Sequence, residues 1–346
     1  MIPYRAVRSN MEFAAKVLPQ MNNTSRVVSM LPTAHMYGLM FEVLYQLTRG
    51  CHVFFLSRLP SPKIIMQALA EVKPTLVVAV PLIIEKIYKS KVKPVIETAG
   101  IKFALKLPIL EQVIMNKIKT ELINAFGGEF IEVIIGGAAF NKEVEAFFKR
   151  MGFPFTVGYG MTECAPIITY DDWKEEKLYS CGKAAPNMEV RIASADPINI
   201  PGEIQVKGAN VFLGYYKNET ATSEVFTEDG WFRTGDMGVL DADGSLFIKG
   251  RTKCMILGPS GQNIYPEEVE TVVNSQPYVV DSLVIEDNGG LTALIYPDFQ
   301  QGAKDGMSQE AMVTYMEGTL AELNTILPNY ARLKKIEVMS EDFERT

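Results

Sequence analysis

Short β-type apolar runs alternate with helix-spaced apolar faces through the first part of the chain. Residues 26–31 read as a buried strand, followed by a loop at 33–38. Residues 39–49 are apolar at helical spacing, and Gly50 ends that segment. Residues 51–56 form a β-rich run. Ser61 and Pro62 then open a helix as N-cap and first turn, with Ile64, Ile65, Ala68, Leu69 and Val72 on one face. Residues 75–80 read as another buried strand. This strand–helix alternation predicts an α/β fold with a doubly wound, mostly parallel sheet.

The pattern resumes after a long helical insert at 82–126. Residues 132–135 form a strand ending in Gly136-Gly137, Asn141 caps a helix with Val144, Phe147, Phe148 and Met151 on one face, and residues 153–157 form a strand ending in Gly158-Tyr159-Gly160. From about residue 180 the alternation becomes short and strand-like: 189–192, 203–206, 237–240 and 245–249, with Asp241-Ala242-Asp243-Gly244 as a hairpin turn. The rest reads as a small α+β module. It has a helix at 265–274, strands at 279–285 and 291–296 around Asn288-Gly289-Gly290, a helix near 308–325 and a strand at 335–339. The expected division is an α/β subdomain over 1–178, a small antiparallel, barrel-like subdomain over 179–250 and an α+β lid over 251–346.

Composition narrows the class. The 346 residues are 47% hydrophobic and 22% charged, ordinary for a chain with a sizeable core. No apolar run reaches the ~18–20 residues that span a bilayer. The four cysteines, Cys51, Cys164, Cys181 and Cys254, stand singly, and there are two histidines. Neither a structural zinc site nor a disulfide framework is expected, which fits a reducing cytoplasm. The net charge of −7 is unevenly placed, with 7 basic against 15 acidic residues after Gly250. That acidity argues against non-specific nucleic-acid binding. One stretch, 86–119, is lysine-rich. It is either a solvated helical surface or a face attracted to anionic lipid, a peripheral membrane contact.

Three short segments carry candidate chemistry. In Tyr159-Gly160-Met161-Thr162-Glu163, the glycines at 158 and 160 permit close backbone approach to a ligand. Tyr159 offers a flat face to a base, Thr162 a hydroxyl to phosphate, and Glu163 a hard oxygen to Mg²⁺. Alone the run reads equally as a strand-end loop. Asp236 follows a Gly turn in Thr234-Gly235-Asp236, a carboxylate suited to both ribose hydroxyls or a capped hairpin. Arg251, in Gly250-Arg251-Thr252-Lys253, suits ribose or phosphate, or a surface ion pair.

Taken in order, these segments resemble the adenylate-forming superfamily of acyl-CoA synthetases, luciferases and peptide-synthetase adenylation domains, along essentially the whole chain. Gly136-Gly137-Ala138-Ala139-Phe140 is similar to the family's adenine-side loop, 159–163 to its most recognisable motif, 231–236 to its ribose motif, 250–253 to its hinge, and 258–270 to the stretch used in the thioester step. Leu31-Pro32-Thr33-Ala34-His35-Met36-Tyr37-Gly38, the run 80–88 and the long insert are most similar to long-chain fatty acid–CoA ligases.

That resemblance implies acyl-AMP formation from ATP, then thioester formation with coenzyme A. It implies an ATP/AMP site of Gly136, Gly137, Ala138, Tyr159, Gly160, Met161, Thr162, Asp236, Ile248 and Arg251, with Mg²⁺ on Glu163. Thr162 and Glu163 act in catalysis, Lys253 is the hinge, and His35, Gly158 and Gly261 belong to the acyl and CoA side. His35 reads alternatively as a structural histidine. The family's phosphate loop, a Ser/Thr/Gly-rich run ending in lysine, and its adenylation lysine have no counterpart here. The expectation is a fragment with little adenylation of its own, whose uncovered apolar surface invites a second copy. The alternatives are another acyl- or amino-acid-adenylating enzyme, or a non-catalytic AMP-binding remnant.

Overall fold

The computed structural model describes residues 1–57, 60–258 and 262–343, with Pro62 as backbone only. The described chain divides into two units. The first comprises Met1–Thr234 and Val239–Phe247, and the second Gly235–Gly238 and Ile248–Thr346. Residues 179–234 thus go with the α/β part.

In the first unit, Arg26–Ser29 pairs in parallel with His52–Phe55. Val77–Ala79, Val133–Ile135 and Phe155–Val157 form a second parallel set in that order. A parallel bridge from Val27 to Leu76 links the two sets. The central strands are buried at every position or nearly so, which is why they read as continuous apolar runs. Pro62–Val72 starts where Ser61 Oγ accepts from the Ile64 amide, and Lys142–Met151 starts where Asn141 Oδ1 accepts from the Glu143 and Val144 amides. Both helices end at a left-handed residue, Lys73 and Gly152.

The expected helix at 39–49 is present with a wider winding at Leu39–Leu44, between Met36–Gly38 and Tyr45–Thr48. Glu42, fully buried within it, explains the position. Its carboxylate accepts from Ser29 Oγ and from the amides of Met30 and Leu31, at 3.0–3.2 Å, satisfying backbone donors at the end of the first strand. The insert resolves into Pro81–Ile87, Tyr88–Val92, Lys93–Ile96, Ala99–Ala104 and Pro108–Ala125.

Tyr159–Gly160, Ile167–Tyr170 and Lys183–Ala184 form a three-stranded antiparallel sheet. Next comes a four-stranded sheet, whose central pair Met188–Ala193 and Gly202–Gly208 is antiparallel. Its remaining strands, Phe232–Leu240 and Leu246–Arg251, are shared between the units.

The second unit has its own core. Pro266–Asn274, Gln309–Gly318 and Leu320–Ile326 pack on a sheet of Val279–Asp287, Gly290–Pro297 and Leu333–Val338. The sheet pairs antiparallel and then parallel. The single helix expected near 308–325 is interrupted after Gly318.

Candidate nucleotide-binding site

In the first unit, the candidate residues emerge at one edge of the parallel strands. The loop holding His35 follows the carboxyl end of Arg26–Ser29, Gly136–Ala138 follow Val133–Ile135, and the 158–163 segment follows Phe155–Val157. Backbone bonds hold the last two loops in step: Gly136 N–H donates to Ala79 and Gly158 N–H to Ile135, at 3.1 and 2.9 Å. Carboxyl edges of parallel strands are where open α/β sheets bind ligands. Tyr37 ties the His35 loop to its neighbour. Its hydroxyl donates to the Ile134 carbonyl at 3.1 Å, and its ring lies in contact range of Gly136.

Gly137, at φ +90°, and Ala138 are exposed. Gly136 is buried beneath Tyr37. His35 is exposed at the N-cap of its short helix. Tyr159 is only 8% exposed and lies within the first unit's core, alongside Met161. At Gly160 a Cβ would run into the Pro166 backbone, so the glycine lets its strand pair closely with Ile167–Tyr170. Thr162 is exposed on the single turn Thr162–Cys164, and its hydroxyl makes no hydrogen bond among the described residues.

Glu163 is half-buried. Its Oε1 accepts from the Tyr215 hydroxyl at 3.0 Å, and its carbonyl accepts from the Phe212 amide at 2.8 Å. Its Oε2 makes no hydrogen bond among the described residues. One anchored carboxylate with one available hard oxygen fits a Mg²⁺ that takes its other ligands from phosphate and water. Among the described residues no group of three or more His, Cys, Asp or Glu could hold a metal without such help.

Sequence reasoning missed the supports of this loop. Asn10, fully buried on the helix Tyr4–Val17, donates to the Cys164 carbonyl at 3.2 Å and accepts from the Ile167 amide at 3.0 Å. Asn210 donates to the Ile167 carbonyl at 2.7 Å. Both ends of the 164–167 turn are therefore clamped by side chains remote in sequence.

In the second unit, Asp236 and Arg251 lie together, Arg251 Nε to Asp236 Oδ1 at 3.6 Å, with the guanidinium largely exposed. Gly235, at φ +75°, turns the strand just before Asp236. The Arg251 amide donates to Glu267 Oε1 at 3.2 Å. Ile248 is exposed on its strand, and Lys253 lies exposed on the turn Thr252–Cys254. Gly261 lies outside the described residues.

Residues 1–216 match the family described as AMP-binding enzyme. The chain belongs to that family. Among curated proteins, this chain is 28% identical over 320 residues to a long-chain-fatty-acid–CoA ligase, FadD15, of Mycobacterium bovis, covering 81% of this chain and 52% of that protein. It is 30% identical over 296 residues to long-chain-fatty-acid–CoA ligase 1 of Saccharomyces cerevisiae, covering 78% and 42%. The chain thus spans about half the length of the curated relatives it matches. Among solved structures it is similar to the O-succinylbenzoate coenzyme A synthetase of Bacillus subtilis in complex with ATP and magnesium ion, with TM-score 0.74, 25% identity, and coverage of 98% and 62%. The ATP-bound MatB of Rhodopseudomonas palustris has the same fold, with TM-score 0.72, 22% identity, and coverage of 100% and 62%. The expected α/β class is therefore observed.

Proposed function

We propose that this chain carries the AMP-binding part of a long-chain fatty acid–CoA ligase. The supporting observation is that three loops, at 33–38, 136–138 and 158–163, share one carboxyl edge of the parallel strands. In the full reaction a fatty acid carboxylate oxygen attacks the α-phosphorus of ATP, and the bond to pyrophosphate breaks. The thiolate of coenzyme A then attacks the acyl carbonyl, and AMP leaves. The names of the relatives favour a long-chain acid over an amino acid.

The first unit's contribution is Gly136, Gly137 and Ala138 beside adenine, with Tyr159, Gly160 and Met161 shaping the floor. Thr162 donates its hydroxyl to the α-phosphate, a donor aimed where charge develops. Glu163, oriented by Tyr215, holds Mg²⁺, which when bound neutralises phosphate oxygens. His35 and Gly158 face the acyl and CoA side. In the second unit Asp236 accepts from the ribose hydroxyls with Arg251 beside it, Ile248 packs near adenine, and Lys253 serves as hinge. The 346 residues contain no Ser/Thr/Gly-rich run ending in lysine to cradle the β- and γ-phosphates. By itself the chain therefore binds AMP and releases little pyrophosphate.

Calorimetric titration tests this. AMP should bind the chain in the micromolar-to-millimolar range. Asp236→Ala, which loses charge-assisted hydrogen bonds, should weaken it by about tenfold or more. Absence of AMP binding at millimolar concentration would overturn the site. Robust pyrophosphate release from ATP, Mg²⁺ and palmitate would overturn the low turnover, and activity with amino acids but not fatty acids would overturn the substrate class.

A further inference from the structure

The helical insert presents apolar side chains to solvent where a soluble surface would hide them. Phe103, on Ala99–Ala104, is 68% exposed, and Ile109 and Val113, on Pro108–Ala125, are 82% and 62% exposed. Leu107 and Leu110 between them are exposed as well. The long helix has two faces. Met115, Ile118 and Leu122 are buried in the first unit's second core. At 100° per residue, Ile109, Val113 and Lys117 fall on the opposite side. The apolar residues on that side are thus surplus to the core.

The charges around this patch are mostly basic. Residues 91–117 hold five lysines and two glutamates. Both glutamates are engaged: Glu111 with Arg150 at 2.5 Å and Glu97 with Lys93 at 3.9 Å. Lys91, Lys102, Lys106 and Lys117 are exposed and form no ion pair among the described residues. The next acid along the helix, Glu121, lies about 18 Å from Ile109 at ~1.5 Å per residue. Five exposed apolar side chains rimmed by unpaired lysines match an anionic bilayer surface, apolar groups toward the acyl chains and ammonium groups toward headgroup phosphates. No helix among the described residues is long and apolar enough to cross a membrane, so the contact is interfacial.

We propose that the tip formed by Ala99–Ala104 and the first turns of Pro108–Ala125 is an interfacial anchor for anionic membranes. It uses no residue assigned to the nucleotide site, so the two readings fail separately.

Vesicle co-sedimentation of the 346-residue chain without nucleotide tests it. The chain should bind vesicles of phosphatidylcholine containing about one-third phosphatidylglycerol, and bind pure phosphatidylcholine far less. Binding should drop steeply between roughly 50 and 500 mM salt. Lys102→Glu with Lys106→Glu should weaken it at least about tenfold. Ile109→Glu with Val113→Glu should abolish it, while thermal unfolding and AMP binding stay as in the parent. No binding to the anionic vesicles at low salt would overturn the anchor, as would equal binding by the Ile109→Glu, Val113→Glu variant. A dimer in light scattering that this variant dissolves, with vesicle binding unchanged, would assign the patch to a second copy instead.

Discussion

At Gly160 the direction a Cβ would take is filled by the Pro166 carbonyl and its carbon, with Ile167 Cα close behind. Backbone does not yield as a flexible side chain would. Gly160→Ala should therefore cost at least about 3 kcal/mol of stability in urea unfolding, quite apart from any effect on nucleotide. A second residue-scale consequence concerns protons. Burial pushes the carboxyls of Glu42, Glu132 and Glu145 up to about 7 and that of Glu176 up to about 9, from an ordinary 4.5. Each binds its proton more tightly folded than unfolded. Their stabilisation is full below about pH 4.5 and is lost as pH rises through the folded values, with Glu176 last. Stability should thus fall from pH 5 toward pH 9, by up to about 1.4 kcal/mol per unit for each group still titrating. Glu176→Gln keeps an acceptor for the Val157 amide, which Glu176 Oε1 now serves at 2.6 Å, and removes the titration. Its melting temperature should match the parent's near pH 5 and exceed it at pH 8–9. A parallel decline in both proteins would disprove the assignment.

At the scale of elements, the helix Lys142–Met151 follows directly from its caps and stripe. Asn141→Ala removes the acceptor for the Glu143 and Val144 amides, at 3.0 and 3.2 Å, and should cost about 1 kcal/mol by denaturant titration. That helix, its counterpart Pro62–Val72 and the buried strands were legible because local chemistry and burial agree. The sequence did not disclose the helix Tyr4–Val17, whose buried face includes Ser9 and Asn10 and so lacks a clean apolar stripe. It did not disclose the wide winding at Leu39–Leu44 either, where a polar residue, Glu42, turns inward toward strand amides. The site divides the same way. Contiguous loops such as 136–138 and 158–163 carry their own glycine punctuation. Their supports come from far along the chain: Asn10 lies 154 residues from Cys164, and Tyr215 lies 52 from Glu163. No local pattern encodes such pairings.

Over the whole molecule, the second unit closes its own core around Val273, Ala293, Ile295, Met316 and Leu323, all fully buried. A unit with its own core is expected to melt as one. Differential scanning calorimetry should therefore resolve two transitions. Val273→Ala, a cavity of two methyl groups, should lower one of them by roughly 5–10 °C and leave the other in place. A single transition that shifts as a whole would contradict this. The boundary itself runs through one hairpin: the chain leaves the first unit at Gly235, returns at Val239 and leaves again at Ile248. Asp236 therefore reaches the second unit only on that first excursion, while Arg251 comes on the second. Consequently no single scission yields both units intact. A protease cutting in the turn at 241–244 strands Asp236 on one product and Arg251 on the other. A gene cut at residue 248 would express a second unit with its arginine and without the carboxylate beside it.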